Sequence, residues 1–308
     1  MLSAPTSQHR IRGFAACAAA GTLWGCGFFF GKIALAEMNV GAMVFYRFCF
    51  ATLGLLPLLF THPPRLSASE WRTLLFASFL GVPAQFLIQF KGLSLTTVSH
   101  ASLMVGTMPV ILAVGAMLFA KEHLHRIGWL CLVVSTTGAA LIALAGHHKP
   151  TANGPSLEGD LLVVLSLVIA LFWVLLNKKL VERHSAVVIT AYGLCSGTLM
   201  LSIAVPLIYG LPPVHGISLK AWGASAAAGL LCTACSTMLW NYGMTQVPAS
   251  QAGVFLNIEP LIGSLLGVFL LGDQLGPPAW IGGALILAAA IVITTRSRTR
   301  VREQLPST

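Results

Sequence analysis

Charged residues are scarce in this chain of 308 residues. Asp, Glu, Lys and Arg make up 9% of it, whereas 56% of the residues are hydrophobic. So few charged residues cannot cover the surface of a soluble domain of this size, which excludes a soluble globular protein. Because lipid offers no partner to an unpaired backbone group, we expect an all-α, polytopic membrane protein.

Motifs of several other protein classes are also missing. No Gly-x-Ser-x-Gly, paired-Asp or His-Glu-x-x-His pattern supports an intramembrane enzyme. No ring of like charge supports a channel, and no basic stripe supports nucleic-acid binding. Cys232 and Cys235 have no second pair or nearby histidine to complete a metal or redox site, so we predict neither metal nor cofactor.

The chain instead carries ten apolar stretches of about twenty residues, the length that crosses a bilayer core about 30 Å thick. The predicted spans are 14–34, 40–60, 71–91, 97–119, 127–146, 160–180, 187–209, 220–243, 249–271 and 278–295. They form two five-helix repeats, 14–146 and 160–295, joined by an outer loop at 147–159. Tails at 1–13 and 296–308 complete the chain, and the second is basic.

The basic residues predict the orientation of these spans. With the N-terminus in the cytoplasm, thirteen Lys and Arg residues lie on the inner side and four at the outer ends. This positive-inside bias places both termini in the cytoplasm and the protein in the inner (plasma) membrane. The net charge of +9 then also attracts anionic membrane lipid.

The two halves repeat each other. Residues 92–129 align without a gap on 243–280 at a constant offset of 151 and share seven identities, among them Pro109 with Pro260. Trp24 in the first span has a counterpart in Trp173 of the sixth. Because each half has five spans, the second half must enter the membrane from the opposite side. Inverted repeats of this kind build carriers that expose a midplane site to each side in turn.

These residues resemble the drug/metabolite transporter superfamily, specifically its EamA type with ten spans. Trp24-Gly25 and Arg47-Phe48 are similar to motifs early in that family, and Lys121-Glu122 to the acidic end of its fourth helix. Gly272-Asp273 departs from the usual Gly-Glu but keeps the charge. The resemblance covers residues 14–295 and implies a transporter, most often an exporter of amino acids or other small metabolites.

Glu259 is the deepest carboxylate, about 15 Å into the ninth span. An ionisable group at that depth is costly and suggests function, either as the carrier of a coupling proton or as a partner for a substrate ammonium. Arg47 lies at a similar depth, so a purely structural ion pair between them is the alternative. Protonation while facing lipid is a third possibility.

Gln85 and Gln89 share one face of the third span, opposite Trp240 on the matching face of the eighth. Amides on one wall and an indole on the other suit an amphipathic solute, although interhelical hydrogen bonding or core packing explains them equally well. The full set of predicted substrate-binding residues is Trp24, Tyr46, Gln85, Gln89, Trp173, Trp240, Asn257 and Glu259.

Three further residues are candidates for structural or coupling roles beside Arg47. Pro109 and Pro260 interrupt the fourth and ninth spans symmetrically, and a proline frees a carbonyl that can line a cavity. His100, near the outer end of the fourth span, is either a pH sensor or an ordinary hydrogen-bonded residue at a helix end.

The sequence therefore predicts a secondary transporter, not an enzyme, that exports a small-molecule substrate such as an amino acid. Efflux of cationic or aromatic drug-like compounds is the alternative, and a non-transporting receptor or subunit is the alternative from another class, although every loop is short. No Arg and Lys cluster is present that would clamp a phosphate. We expect a monomer or dimer that contacts lipid and no nucleic acid.

The orientation can be tested with reporter fusions. Fusions at the C-terminus and within 147–159 should report opposite sides of the membrane, because an even number of spans returns the chain to the cytoplasm. Paired alkaline phosphatase and fluorescent protein fusions measure this directly. An external C-terminus would contradict the charge assignment.

Overall fold

The computed structural model describes residues 7–119, 126–145, 155–181, 183–246 and 253–303, and these residues are helical with short connections. In the first half the helices are α1 (Ser7–Leu35), α2 (Val40–Thr61), α3 (Ala68–Phe79), α4 (Gln85–Leu95), α5 (Val98–Val105), α6 (Met108–Phe119) and α7 (Arg126–Ala145). In the second half they are α8 (Leu157–Val181), α9 (Ala186–Tyr209), α10 (Leu219–Gly229), α11 (Ser236–Gln246), α12 (Ile258–Leu271) and α13 (Pro277–Glu303).

Several of these helices join into longer apolar rods. Within the described ranges, six rods are long and apolar enough to cross a membrane: Ile11–Leu35, Val40–Thr61, Ala68–Leu95, Leu157–Val181, Ala186–Tyr209 and Leu219–Gly243. Shorter apolar helices occupy Val98–Leu112, Arg126–Ile142, Phe255–Leu271 and Pro277–Val292. The expectation of an all-α, polytopic membrane protein is confirmed. The count of ten spans stays a prediction.

Two rods contain a π-helical turn at matching places. Leu80–Ala84 joins α3 to α4, and Leu230–Cys235 joins α10 to α11. Pro83 lies in the first turn, while the second has no proline and is braced by Thr233, whose hydroxyl donates to the carbonyl oxygen of Ala228 at 2.9 Å. Turns of this type recur at functional sites because they aim backbone groups out of the regular ladder.

The helices that carry the paired prolines are broken rather than merely kinked. Gly106 and Thr107 separate α5 from α6, and the 3₁₀ turn Gly253–Asn257 precedes α12. Pro109 and Pro260 therefore lie in the first turn of α6 and α12, where a missing N–H costs no helical hydrogen bond.

Glycines allow the helices of the two halves to touch backbone to backbone. A Cβ on Gly138 of α7 would lie 2.6 Å from the carbonyl oxygen of Gly282 in α13, and a Cβ on Gly282 would lie 2.5 Å from that of Gly138. Gly92 of α4 and Gly159 of α8 approach each other in the same reciprocal way. Such contacts are how membrane helices associate without a hydrophobic driving force between them.

The helix bundle has two ends, which we call the terminal face and the opposite face. The terminal face is the end at which α1 begins and α13 ends, and it also carries the α8–α9 connection at 182–185. The opposite face carries the connections at 36–39 between α1 and α2, 96–97 between α4 and α5, and 210–218 between α9 and α10. There Glu37 accepts hydrogen bonds from the backbone N–H and the hydroxyl of Ser218, which lower the pKa of Glu37.

The α7–α13 contact gives a test of this packing. Gly138→Ala should lower the melting temperature, because the added methyl group pushes two helices apart and overpacking costs about 1–3 kcal/mol. Gly223→Ala in α10 is the matched control, since a Cβ there meets nothing within 4 Å. Thermal unfolding of both variants in detergent measures the difference. Equal melting temperatures would contradict the close contact.

Candidate functional site

A cavity of about 220 Å³ lies between the two halves. It is lined by side chains of α1, α2, α4 and α6 from the first half and of α8, α9, α11 and α12 from the second. Seven of the residues singled out from the sequence line it: Trp24, Arg47, Gln85, Gln89, Trp173, Trp240 and Glu259. The cavity therefore gathers most of the predicted set, although the role of each residue stays a prediction.

The cavity approaches the terminal face and is closed at the opposite face. Asn177 and Thr190, which line it, lie within one or two turns of the α8–α9 connection, and Asn177 is partly exposed. Toward the opposite face the lining ends at Phe28 and Phe90, which are only 3% and 1% exposed. The buried rings of Phe28 and Phe90 thus separate the cavity from the opposite face.

Equivalent positions of the two halves face each other across this cavity. Six pairs of lining residues are separated by the repeat offset of 151: Gly81 with Cys232, Val82 with Thr233, Phe86 with Thr237, Gln89 with Trp240, Val105 with Leu256, and Met108 with Glu259. The two π-helical turns contribute two of these pairs. This arrangement supports the prediction of an inverted repeat around a shared site.

Arg47 is buried on one wall and held by the other half of the chain. Its Nε donates to the hydroxyl of Thr233 at 2.7 Å and its Nη2 to the carbonyl oxygen of Cys232 at 3.3 Å. The guanidinium carbon lies 4.9 Å from the ring centroid of Phe86 and 5.1 Å from that of Phe90. The π-helical turn supplies both hydrogen-bond acceptors, and the two rings add cation–π attraction. The cation is therefore fixed without a carboxylate.

Glu259 lies in the first turn of α12, on the same cavity. A carboxylate at a helix N-terminus is favoured by the helix dipole. In the described part of the chain, ion pairs within 4.0 Å join His100 to Asp160 and His184 to Glu70, and no hydrogen bond or ion pair engages the Glu259 carboxylate. Among the described residues, Arg47 and Glu259 therefore form no ion pair within 4.0 Å, but they interact electrostatically, and the structural pair stays an alternative. The two opposite charges share one cavity while remaining apart.

Aromatic and amide side chains complete the walls. The rings of Trp24 and Trp240 pack with their centroids 5.2 Å apart, so the repeats meet at an aromatic contact. Trp173 lies against Gly81, where any side chain would collide with the indole. The amides of Gln85 and Gln89 form no hydrogen bond to another described residue, which leaves the interhelical hydrogen-bond interpretation without support.

Two predicted cavity residues lie elsewhere. The Tyr46 hydroxyl donates to the carbonyl oxygens of Pro213 at 3.0 Å and Pro212 at 3.3 Å, so this side chain tethers the α9–α10 connection at the opposite face. Asn257 is 5% exposed and does not line the cavity. It ends the 3₁₀ turn, whose three residues per turn shift its face away from that of a regular α-helix.

His100, Pro109 and Pro260 are not among the residues that line the cavity. His100 Nδ1 lies 3.1 Å from Asp160 Oδ2, and both residues are buried near the opposite face. Only in a continuous helix would the residues at 109 and 260 donate to the carbonyls of Val105 and Leu256, and those two residues line the cavity. Sequence reasoning missed Asp160, although an acidic residue at the start of the sixth span and a histidine at matching depth were the available signal.

No group of three or more His, Cys, Asp or Glu residues that could hold a metal ion occurs within the described ranges. Cys232 contributes its carbonyl oxygen to Arg47, and its thiol is free. Lys121 and Glu122, which carry part of the family resemblance, lie outside the described residues.

Comparison with known proteins agrees with this geometry. An uncharacterized transporter of Archaeoglobus fulgidus is 24% identical over 89% of this chain and 94% of its own length. A probable terminal-alkyne amino-acid exporter of Streptantibioticus cattleyicolor is 27% identical over 66% of each chain. A crystal structure that covers 95% of this chain and 98% of its own superposes with a TM-score of 0.65 at 16% identity, which shows a shared fold.

The model of the EamA-like transporter family matches residues 11–144 and 157–295, which is most of the sequence. The relatives named as transporters match over most of their own length or two thirds of it. The chain therefore belongs to the EamA-like transporter family.

Proposed function

We propose that this transporter exports amino acids or closely related zwitterionic metabolites across the inner membrane by alternating access. The observation that carries the proposal is the pair of unlike charges, Arg47 and Glu259, that share one cavity without forming an ion pair. The exporter from Streptantibioticus cattleyicolor supports the substrate class by its name.

The two charges match the two ends of an amino acid. Arg47 presents a guanidinium that recognises a carboxylate, and Glu259 presents a carboxylate that recognises an ammonium group. Each is costly to keep unpaired at this depth in a membrane. A zwitterion between them neutralises both at once, whereas a simple cation or anion neutralises one and leaves the other.

The size and lining of the cavity favour a small solute with an apolar side chain. Its volume of about 220 Å³ is below the roughly 300–1,000 Å³ of pockets that hold drug-sized ligands. Trp24, Trp173 and Trp240 give the side chain an aromatic surface, and the unbonded amides of Gln85 and Gln89 can bond its polar groups. Efflux of aromatic or cationic compounds remains the second candidate because of the three indoles.

The direction of loading follows from the open end. If the terminal face is cytoplasmic, as the basic residues indicate, the cavity is open to the cytoplasm and takes up solute there. The opposite face must then open to release it. Flux of a radiolabelled amino acid into sealed vesicles containing the pure protein separates a carrier from a receptor or subunit, which would show none.

Ligand binding tests the zwitterion directly. A panel of apolar and aromatic amino acids should raise the melting temperature, because a ligand that binds the folded state stabilises it. The N-acetyl derivative lacks the ammonium and the amide derivative lacks the carboxylate, so neither should raise it comparably. A shift of equal size with all three compounds would remove the role of the paired charges.

Glu259→Gln tests the acidic half of the site. The variant should require an amino-acid concentration at least about tenfold higher for half-maximal exchange, because a charge-assisted hydrogen bond contributes about 1.5–3 kcal/mol. Accumulation of the amino acid driven by a pH gradient should be lost, since the same carboxylate binds either the ammonium group of the substrate or a proton. Glu158→Gln, exposed at the start of α8, is the matched control. Parent-like transport by Glu259→Gln would exclude both roles.

A further inference from the structure

At the opposite face, the cavity is closed by a contact between α1 and α4. Phe28 of α1 and Phe90 of α4 stack with their ring centroids 6.2 Å apart. Gly31 makes room for this contact, because a Cβ there would lie 2.3 Å from the Phe90 ring. These apolar side chains exclude solute but are not the only interaction between the two helices.

Lys32 bonds α1 to the end of α4. Its Nζ donates to the carbonyl oxygen of Leu93 at 2.9 Å and to that of Thr96 at 2.6 Å. Both carbonyls belong to the last turn and cap of α4, where no helical N–H is left to bond them. A cation at a helix C-terminus also interacts favourably with the helix dipole. The ammonium is thus held by two charge-assisted hydrogen bonds.

The accepting end of α4 is itself anchored to the second half of the chain. The Thr96 hydroxyl donates to Asp160 Oδ1 at 2.7 Å, and Asp160 Oδ2 lies 3.1 Å from His100 Nδ1. Thr96 and Asp160 are each 1% exposed and His100 is 2% exposed. The close approach of Gly92 to Gly159 fixes α4 on α8 in the same region. The acceptors of Lys32 therefore lie at the end of a helix that is anchored to α8.

Lys32 lies on α1, which packs against the second half of the chain at the other end of the helix. A Cβ on Gly21 would lie 2.6 Å from the carbonyl oxygen of Phe255 and one on Gly25 would lie 2.8 Å from that of Glu259, so α1 rests on the segment that begins α12. Gly243 of α11 likewise lies against Cys17 of α1. The Lys32 hydrogen bonds thus join α1 to α4 beyond the closed end of the cavity.

The repeat gives Lys32 no charged counterpart at the equivalent position of the second half. With the offset of 149 that relates Trp24 to Trp173, Lys32 corresponds to Val181 of α8. Phe28 corresponds to Asn177, which lines the open mouth of the cavity. The position equivalent to Lys32 therefore carries an aliphatic side chain in place of an ammonium.

We propose that Lys32 is a latch that holds the opposite face closed and makes the cavity open to the terminal face the resting state. The latch rests on the proposed alternating access. Opening the opposite face separates α1 from α4 and breaks both hydrogen bonds of the ammonium, whereas closing the terminal face has no comparable bond to gain at Val181. The resting equilibrium consequently lies toward the state seen here.

Spin-label distances test the latch without a substrate. Labels at Ala36 and Ser94, which are exposed beside α1 and α4 at the opposite face, are introduced into a cysteine-free chain in lipid nanodiscs. The parent should show one short distance. Lys32→Met should add a longer one and raise the ratio of open to closed molecules at least about tenfold, as expected from the loss of hydrogen bonds to a charged group.

Lys91→Met is the matched control, since it removes an exposed lysine of α4 in the same region and should leave the distances unchanged. Folding of each variant is checked by size-exclusion profile and melting temperature. If Lys32→Met does not fold, Asp160→Ala carries the test, because it removes the acceptor of the Thr96 hydroxyl and should shift the distances in the same direction. An unchanged distribution in the folded Lys32→Met variant, or in Asp160→Ala where that variant carries the test, overturns the latch. Absence of amino-acid flux would instead overturn the proposed function, whatever the distances show.

Discussion

The bilayer's inability to bond an exposed backbone group is the constraint on which this structure depends. It confines irregular backbone at membrane depth to places where protein or a cavity satisfies it. Within the described residues, the π-helical turns at Leu80–Ala84 and Leu230–Cys235 and the breaks before Pro109 and Pro260 all adjoin the cavity. Departures from the regular helix therefore mark the site, and one of them supplies the carbonyl oxygen that bonds Arg47.

Charged groups inside the membrane must likewise be stabilised by the protein itself. Arg47 and Lys32 both donate hydrogen bonds to carbonyl oxygens rather than to carboxylates, and Arg47 also contacts the rings of Phe86 and Phe90. Among the described residues, the Glu259 carboxylate consequently forms no ion pair within 4.0 Å. A close ion pair between Arg47 and Glu259 would stabilise the empty carrier, yet it would occupy the charges that the proposed zwitterion needs. The separation of the two charges is thus in keeping with the proposed binding.

Much of this architecture could be predicted from the sequence, because apolar length and lipid thickness dictate where helices run. The predicted span 40–60 corresponds to Val40–Thr61, and 187–209 to Ala186–Tyr209. The partners of polar groups could not be predicted in this way. Arg47 was expected near Glu259 by depth alone. Its hydrogen bond to Thr233 depends on a π-helical turn, and that turn contains no proline from which it could have been predicted. Tyr46 was misplaced because depth does not tell which way a side chain points.

Symmetry in the backbone and asymmetry in the side chains have different consequences. The paired glycine contacts, helix breaks and π-helical turns give the two halves similar mechanics, as alternating access requires. The charges do not follow the repeat: Glu259 corresponds to Met108, and Lys32 to Val181. A backbone that repeats can populate two states of similar energy, and a few unpaired substitutions then decide which is favoured at rest. Directional bias in such a carrier can therefore arise from single side chains, with no change to the fold that makes both states accessible.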